Sequence, residues 1–557
     1  MSKRARVLII AGCLVVAAFF LFFRLGKGDP VTDEVELAFR SIGYMDFLAT
    51  PFQTTPLEWF SDAPWWTRLT FHDHPPVIFA LGYAVFQMFG DSLLALRSVF
   101  AILGLASLWL VYQISKKVLG ESVSLIALAI ASVNTYLTWI GRIGLQEELV
   151  IFFTLLSIWF LIKAEQNRLY FIFWGAGLGL GLLSKYTAGL ILPISILYLW
   201  YFNRAGLKQK YFYIAIGLTI LMFSPVLIYN IEMYRTVGHF DLQVSSFLGQ
   251  DVSAHWQSLP GKEIGSLGER LASFYPNLWQ NDRPLALGLV PSLLILFYLY
   301  ARGRLEKGEK FIFWTIVLYH LLIVVIGPSQ RFLVMLAPWA VIAIAYVLYL
   351  IFKKRVRVFA ALAVVFLVYQ GAYNFQTNLA YGEGSSWLGS TLHNESAAYG
   401  YNELEKYLRE LLDTKKPSVK LELLSQHRFI ESVRDSDFRK IKNNPGAATL
   451  IIYDPRVDQV AKLWLYDRRY YYDGWPFVSA DEFLQVQQVA PQYFSDLGIS
   501  DLYYIATTPE TFAGGYMPQS GAEEFEQNTF VNQRIKAEKE IPDRAGQIVF
   551  RIYHFGL

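Results

Sequence analysis

The chain has 557 residues, 54% hydrophobic and 16% aromatic, with only 17% charged. A soluble domain carries about 25% charged residues, so a wholly aqueous globule is excluded. The formal net charge of +3, its basic residues scattered through short loops, excludes a nucleic-acid-binding stripe, and the single cysteine, Cys13, excludes an internal disulfide.

Read from the N-terminus, Lys3-Arg4 and Arg6 precede a first apolar span at 7–23. No small-residue cleavage site follows it, so it reads as a signal anchor retained as a helix. A loop of about 70 residues, 24–96, comes next and opens on the adjacent carboxylates Asp33-Glu34. The same loop holds Asp73-His74-Pro75-Pro76 and then a short apolar stretch to Gly90. That stretch begins with two prolines and is expected to lie on the membrane or dip into it.

A membrane-crossing helix needs about 20 apolar residues, with a range of about 17–25. Eleven segments come close: 7–23, 97–115, 122–140, 147–163, 169–184, 186–202, 211–229, 285–301, 311–327, 332–352 and 358–375. With eleven spans, the basic loops Lys116-Lys117, Lys163–Arg168, Arg204–Lys210, Arg302–Lys310 and Lys353–Arg357 fall on one face with the N-terminus. That is the positive-inside pattern. It predicts a multi-pass plasma (inner) membrane protein with a cytoplasmic N-terminus. The loops 24–96 and 230–284 and the C-terminus then lie outside.

From about residue 383 the composition becomes ordinary. Strand-like runs such as Thr449–Tyr453 and Leu502–Ala506 alternate with helix-like ones such as Asn402–Asp413. The expected fold is therefore mainly α: a polytopic membrane domain over 1–382, followed by a soluble extracytoplasmic α/β domain over 383–557. The aromatic run Trp464–Trp475 suits either stacking on sugars and lipid head groups or plain core packing. No spacing there, His427 included, suggests a second catalytic centre.

Charged residues at the outer span ends converge on one face: Arg142 and Glu147, Lys185, and Arg331, joined by Asp33, Glu34, Asp73 and His74. Ionisable groups near hydrocarbon are expensive and usually face a cavity or one another. Plainer roles stand beside this reading. Arg142 and Glu147 suit a mutual pair across a tight turn, Lys185 suits snorkelling to the interface, and Asp33 suits an N-cap. The glycines 175, 177, 179 and 181 suit close helix packing. His72, Asp73 and His74 lack a third nearby histidine or cysteine, so the sequence supports no metal site, and no phosphate-cradling loop is present. Asn394-Glu395-Ser396 is a glycosylation sequon.

These residues, in this order and spacing, resemble the GT-C superfamily of polyprenyl-phosphate-sugar-dependent glycosyltransferases. The chain is most like the protein O-mannosyltransferases and the lipid A aminoarabinose transferases. The likeness runs over about 1–375. It rests on Asp33-Glu34, His74-Pro75-Pro76, Arg97, Arg142–Glu147, Gly179–Lys185 and Arg331 with Pro338. Glu147 stands where many relatives carry Asp.

The resemblance implies a lipid-linked sugar donor and a glycan, lipid or protein acceptor. It implies an inverting transfer with Asp33, backed by Glu34, near the acceptor hydroxyl. His74, Lys185 and Arg331 would then face the donor phosphate, and Asp73, Arg142 and Glu147 would orient the substrate. No cofactor is required. A polytopic lipid or solute transporter, or a flippase with a charged rim, is the rival expectation. It predicts mid-span charges and related halves.

Overall fold

In the computed structural model, described residues are 2–30, 32–47, 54–256, 265–354, 356–380, 387–392, 399–415, 421, 448–508, 520–532 and 534–556. The sequon at 394–396 and His427 lie outside them. The chain divides into two compact units. One comprises Met1–Gly26 with Asp46–Asn394, and the other Lys27–Met45 with Glu395–Leu557. Besides Glu395–Leu557, which lies beyond the expected 382/383 boundary, the C-terminal unit includes a segment of the first loop, Lys27–Met45.

The first unit is helical. Every one of the eleven expected segments is helical among the described residues. Among the described residues, six helices are long and apolar enough to cross a membrane: Lys3–Lys27, Leu93–Leu119, Lys210–Val237, Arg283–Ala301, Lys307–Ile326 and Gln330–Ile351. Gln146–Ala164 and Val356–Asn378 are helices of 19 and 23 residues. Tyr170–Ser184 and Tyr186–Phe202 are shorter. At about 1.5 Å per residue, the Val77–Phe89 helix is about 20 Å long, less than the hydrocarbon core of about 30 Å. Its shortness agrees with a helix that does not span.

The glycine ladder of the Tyr170–Ser184 helix packs in two directions. A Cβ on Gly175 would meet the Ala215 carbonyl oxygen at 2.5 Å, and one on Gly179 would meet Met222 at 3.1 Å. On the opposite face Gly177 lies against Ser157 Oγ, at 2.6 Å from such a Cβ, and Gly181 against Ile191. Spacing by four places each pair on one face, so two neighbouring helices approach this one at backbone distance.

The segment expected to run unbroken over 122–140 is bent. Glu121–Ala131 and Thr135–Gly141 meet at 63°. Buried Asp282 explains how the break is tolerated. Its Oδ1 accepts from the Leu285 amide at 3.0 Å and caps the Arg283–Ala301 helix. Its Oδ2 accepts from Asn134 Nδ2 at 3.0 Å and from the Tyr136 amide at 3.2 Å. Asn374 donates to the Val133 carbonyl (3.1 Å) and Thr138 Oγ1 (2.8 Å), and Asn378 to the Thr135 carbonyl (3.2 Å). Backbone groups freed by the break thus find protein partners, as a low-dielectric interior requires.

The second unit holds a five-stranded sheet of order β2-β1-β3-β5-β4, with β1 Ala448–Tyr453, β2 Phe477–Ser479, β3 Ile499–Thr507, β4 Lys539–Pro542 and β5 Ile548–Phe555. β1 runs parallel to β2 and β3, whereas β5 is antiparallel to β3 and β4. β1 is buried at all six positions, as a central parallel strand should be. The aromatic run is core: Trp464, Tyr466, Tyr470, Tyr471, Tyr472 and Trp475 are all buried. Arg468 and Arg469 pair with buried Glu405, each at 2.8 Å. Burial opposes the Glu405 charge, but the two guanidiniums prevail and bring its carboxyl down to about 2.

Lys27–Met45 is built on this unit. Asp29, fully buried, accepts hydrogen bonds from the amides of Tyr399 and Asn402, the latter at 2.9 Å. Burial pushes its carboxyl up to about 6 against the pull of those amides.

Two stability predictions follow from these caps. Asp282→Ala removes a helix cap and strands buried donors, so it should lose roughly 2–4 kcal/mol in thermal unfolding of the detergent-solubilised protein, and Asp282→Asn less. An unfolded Asp titrates near 3.9. Asp29 therefore contributes most stability below about pH 4, and that contribution is lost as pH rises through about 6. The melting-temperature difference between wild type and Asp29→Asn should shift in favour of wild type as pH falls across that window.

Candidate active site

Glu147 sits in the first turn of Gln146–Ala164, where a carboxylate complements the helix dipole. Its side chain is fully buried. Lys185 follows directly on Ser184, the last residue of the glycine-rich helix, with an extended backbone. Its Nζ reaches Glu147 Oε1 at 2.6 Å and lies 5.0 Å from the centre of the Phe332 ring. Arg331 belongs to the one-turn helix Gln330–Leu333, entered through Gly327-Pro328-Ser329. Its Nε lies 3.3 Å from the same Glu147 oxygen. Three separate stretches thus meet at one carboxylate oxygen, and these three side chains together carry one surplus positive charge.

The neighbouring residue extends the cluster. Tyr186 Oη donates to Asp241 Oδ2 at 2.5 Å, and Asn230 Nδ2 donates to the same oxygen at 2.8 Å. Asp241 also caps the Leu242–Leu248 helix through the Val244 amide. Burial pushes the Asp241 carboxyl up, and these hydrogen bonds pull it back only in part. The Leu242 amide donates to the His72 carbonyl at 2.9 Å, and Gln243 Nε2 to the Asp73 carbonyl at 2.6 Å. The long loops that the sequence placed outside are therefore joined to each other.

At that junction the Asp73 carboxylate lies 2.9 Å from His74 Nδ1, and His72 Nδ1 lies 2.7 Å from Asp46 Oδ1. The Asp46 carboxylate also accepts from the His72 amide at 2.9 Å. Asp46, His72 and Asp73 each offer one metal-ligand atom, all within 4.8 Å of one another and all buried. Asp46 is the third donor that the sequence reading of residues 72–74 did not find. It lies 26 positions away, beyond any local motif.

Arg142 does different work. Its guanidinium donates to the carbonyls of Phe20 (2.7 Å), Leu21 (3.2 Å) and Phe23 (2.9 Å). It satisfies the orphan acceptors at the end of the first helix. Arg97 donates to the nearby Leu25 carbonyl at 3.4 Å. Both arginines fix where the chain leaves the first span.

Asp33 and Glu34 belong to the second unit, at the start of the Asp33–Gly43 helix. Thr32, not Asp33, is the N-cap, accepting from the Glu34 amide at 3.3 Å. Asp33 is exposed and Glu34 buried. One turn on, Arg40 pairs with Glu36 at 3.1 Å. Among the sequence candidates, the first unit therefore joins Glu147, Lys185 and Arg331 directly and Asp73 with His74. Asp46, Tyr186, Asn230 and Asp241 were missed. Asp46, Asn230 and Asp241 are each a lone polar residue between apolar or aromatic neighbours, and only the His-Asp-His run and the Lys185 connection hinted at the group.

The family described as dolichyl-phosphate-mannose-protein mannosyltransferase matches residues 73–229. YkcB of Bacillus subtilis (strain 168), whose mannosyltransferase name is provisional, is 24% identical over 236 residues, 40% of this chain and 30% of its own. An uncharacterized Aquifex aeolicus (strain VF5) protein is 27% identical over 25% of this chain and 29% of its own. The chain thus covers about three tenths of these curated relatives. ArnT from Cupriavidus metallidurans, in a crystal structure with undecaprenyl phosphate, superposes with a TM-score of 0.52 at 13% identity, covering 100% of this chain and 98% of that one.

The fold is GT-C-like. The resemblance read from the sequence holds in both sequence and fold. The Archaeoglobus fulgidus oligosaccharyltransferase, tethered to an acceptor peptide, aligns with a TM-score of 0.50 at 12% identity, over 99% of this chain and 74% of that one.

Removing the shared counter-charge tests the cluster. Glu147→Gln leaves buried Lys185 and partly buried Arg331 without their shared counter-charge, and breaking such a buried pair destabilises by about 3–5 kcal/mol. Thermal unfolding in detergent should show that loss at low ionic strength, and added inorganic phosphate should recover part of it.

Proposed function

We propose that this protein is an integral-membrane glycosyltransferase. It moves a sugar from a polyprenyl-phosphate donor to an acceptor hydroxyl on the extracytoplasmic face. The observation that carries this reading is the Lys185–Glu147–Arg331 cluster, in which one buried carboxylate holds two cations with positive charge to spare. The phosphate of the donor, and the phosphate monoester that leaves, are anions that a pair of cations suits. The fold neighbour ArnT is described in complex with undecaprenyl phosphate, and the mannosyltransferase family matches the stretch containing His74, Glu147 and Lys185.

In the proposed reaction the acceptor oxygen attacks the anomeric carbon. Asp33 takes the hydroxyl proton. The bond from that carbon to the phosphate oxygen breaks, and the polyprenyl phosphate leaves with the electron pair. Lys185, Arg331 and His74 stabilise the charge that develops on it. Glu147 keeps Lys185 and Arg331 at a fixed separation, and Asp73 orients His74. Attack opposite the leaving group inverts the anomeric centre. Arg142 acts from a distance, by fixing the exit of the first span.

Asp33→Asn should abolish transfer from a polyprenyl-phosphate-mannose probe while leaving expression and insertion intact. Loss of a general base commonly slows a reaction by about 10²–10⁴-fold. Near-wild-type turnover would remove Asp33 from this role and point to Glu34. Lys185→Ala and Arg331→Ala should raise the donor KM far more than the acceptor KM. Unchanged donor dependence in both would leave them as interfacial anchors.

A further inference from the structure

The helix that bears Asp33 and Glu34 is encoded near the N-terminus yet fastened to the C-terminal unit. The fastening is at both ends. On the N-terminal side, Asp29 receives the amides of Tyr399 and Asn402. The helix Tyr401–Asp413 starts there after Gly400, which has no side chain to cap it. Asp29 therefore caps that helix from a distant part of the chain, with a negative charge at its positive end. Asn402 answers with its own side chain, whose Nδ2 donates to the carbonyls of Lys27 and Gly28, both at 3.0 Å.

At the other end Tyr472 Oη donates to the Phe39 carbonyl at 2.8 Å. The Phe39 ring lies 5.3 Å from that of Tyr472 and 6.0 Å, edge to face, from that of Tyr471. Gly43 completes the seat, since a Cβ there would come within 2.6 Å of Tyr472 Cε1. Tyr44 then ends the helix with a left-handed φ of 48°.

We infer that Tyr472 and Asn402 are positioning residues for the acid pair: the C-terminal unit holds the Asp33–Gly43 helix in register for transfer. This rests on the proposal that Asp33 is the proton acceptor. It gives the C-terminal unit a part in the reaction without making it a second catalytic centre. The unit presents the base, and it does so through a phenol and an amide that need not touch substrate. Proton transfer depends steeply on placement, and a shift of about 1 Å commonly costs on the order of 10²-fold in rate.

The test uses the full-length protein in detergent or nanodiscs, with polyprenyl-phosphate-mannose as the probe. Tyr472→Phe removes one hydroxyl and keeps the ring, and Asn402→Ala removes the amide at the other end. Each should lower kcat by roughly 10–100-fold with the donor KM within about twofold. Each should also speed hydrogen exchange of the amides over residues 33–45 while leaving 147–185 unchanged. In an Asp33→Asn background Tyr472→Phe should slow the reaction no further, because its effect runs through the base.

Unchanged kcat and exchange in both variants would overturn the inference. So would a Tyr472→Phe effect of equal size with and without Asp33. If Asp33→Asn itself turns over normally, the base assignment falls, and the exchange data then report separately whether Tyr472 and Asn402 hold the helix.

Discussion

A carboxylate that has lost water must be matched by protein, and Glu147 is matched twice over. Lys185 and Arg331 approach one of its oxygens from different stretches of chain. Removing Glu147 takes away the carboxylate that both cations share, whereas removing either cation leaves it the other. The helix starting at Gln146, the end of the glycine-rich helix and the turn before Ala337 are therefore held at one point. The glycine ladder serves the same end, since it lets neighbouring helices pack closely against the one that ends at Ser184.

The same demand for partners explains the irregular parts of the first unit. The break at Ser132–Asn134 would expose backbone groups, but Asp282, Asn374 and Asn378 supply what the helix gives up. Asp282 serves two helix starts at once. Arg142 does the equivalent for the carbonyl end of the first span. Charges that look alike in a list of outer-face residues thus divide into those matched to one another and those spent on helix ends.

Hydropathy alone located every one of the eleven expected segments as helix, because a run of apolar residues of that length has few other fates in lipid. It could not show the bend at 132–134, which depends on a carboxylate far along the chain. Lys185 and Arg331 were legible because a lone cation in a connection expected to face outward departs from the expected positive-inside pattern. Asp241 and Asn230 were not, since a single Asp or Asn among apolar neighbours carries no signal until its partners are known. The aromatic run at 464–475 was ambiguous by composition, and burial resolves it as core. The grouping of Lys27–Met45 with the C-terminal unit was invisible to any reading of local composition, because it rests on pairings such as Tyr472 with Phe39.

That pairing joins residues 433 positions apart. At roughly 5–20 residues per second, a ribosome needs roughly 20–90 s to pass from one to the other. Through that interval the acidic segment is already translated and has no seat, while the apolar spans are being inserted around it. The Lys27–Met45 segment can accordingly take its seat only after the residues around Tyr472 have been made. Truncated or stalled products would be membrane-integrated chains in which that seating never takes place.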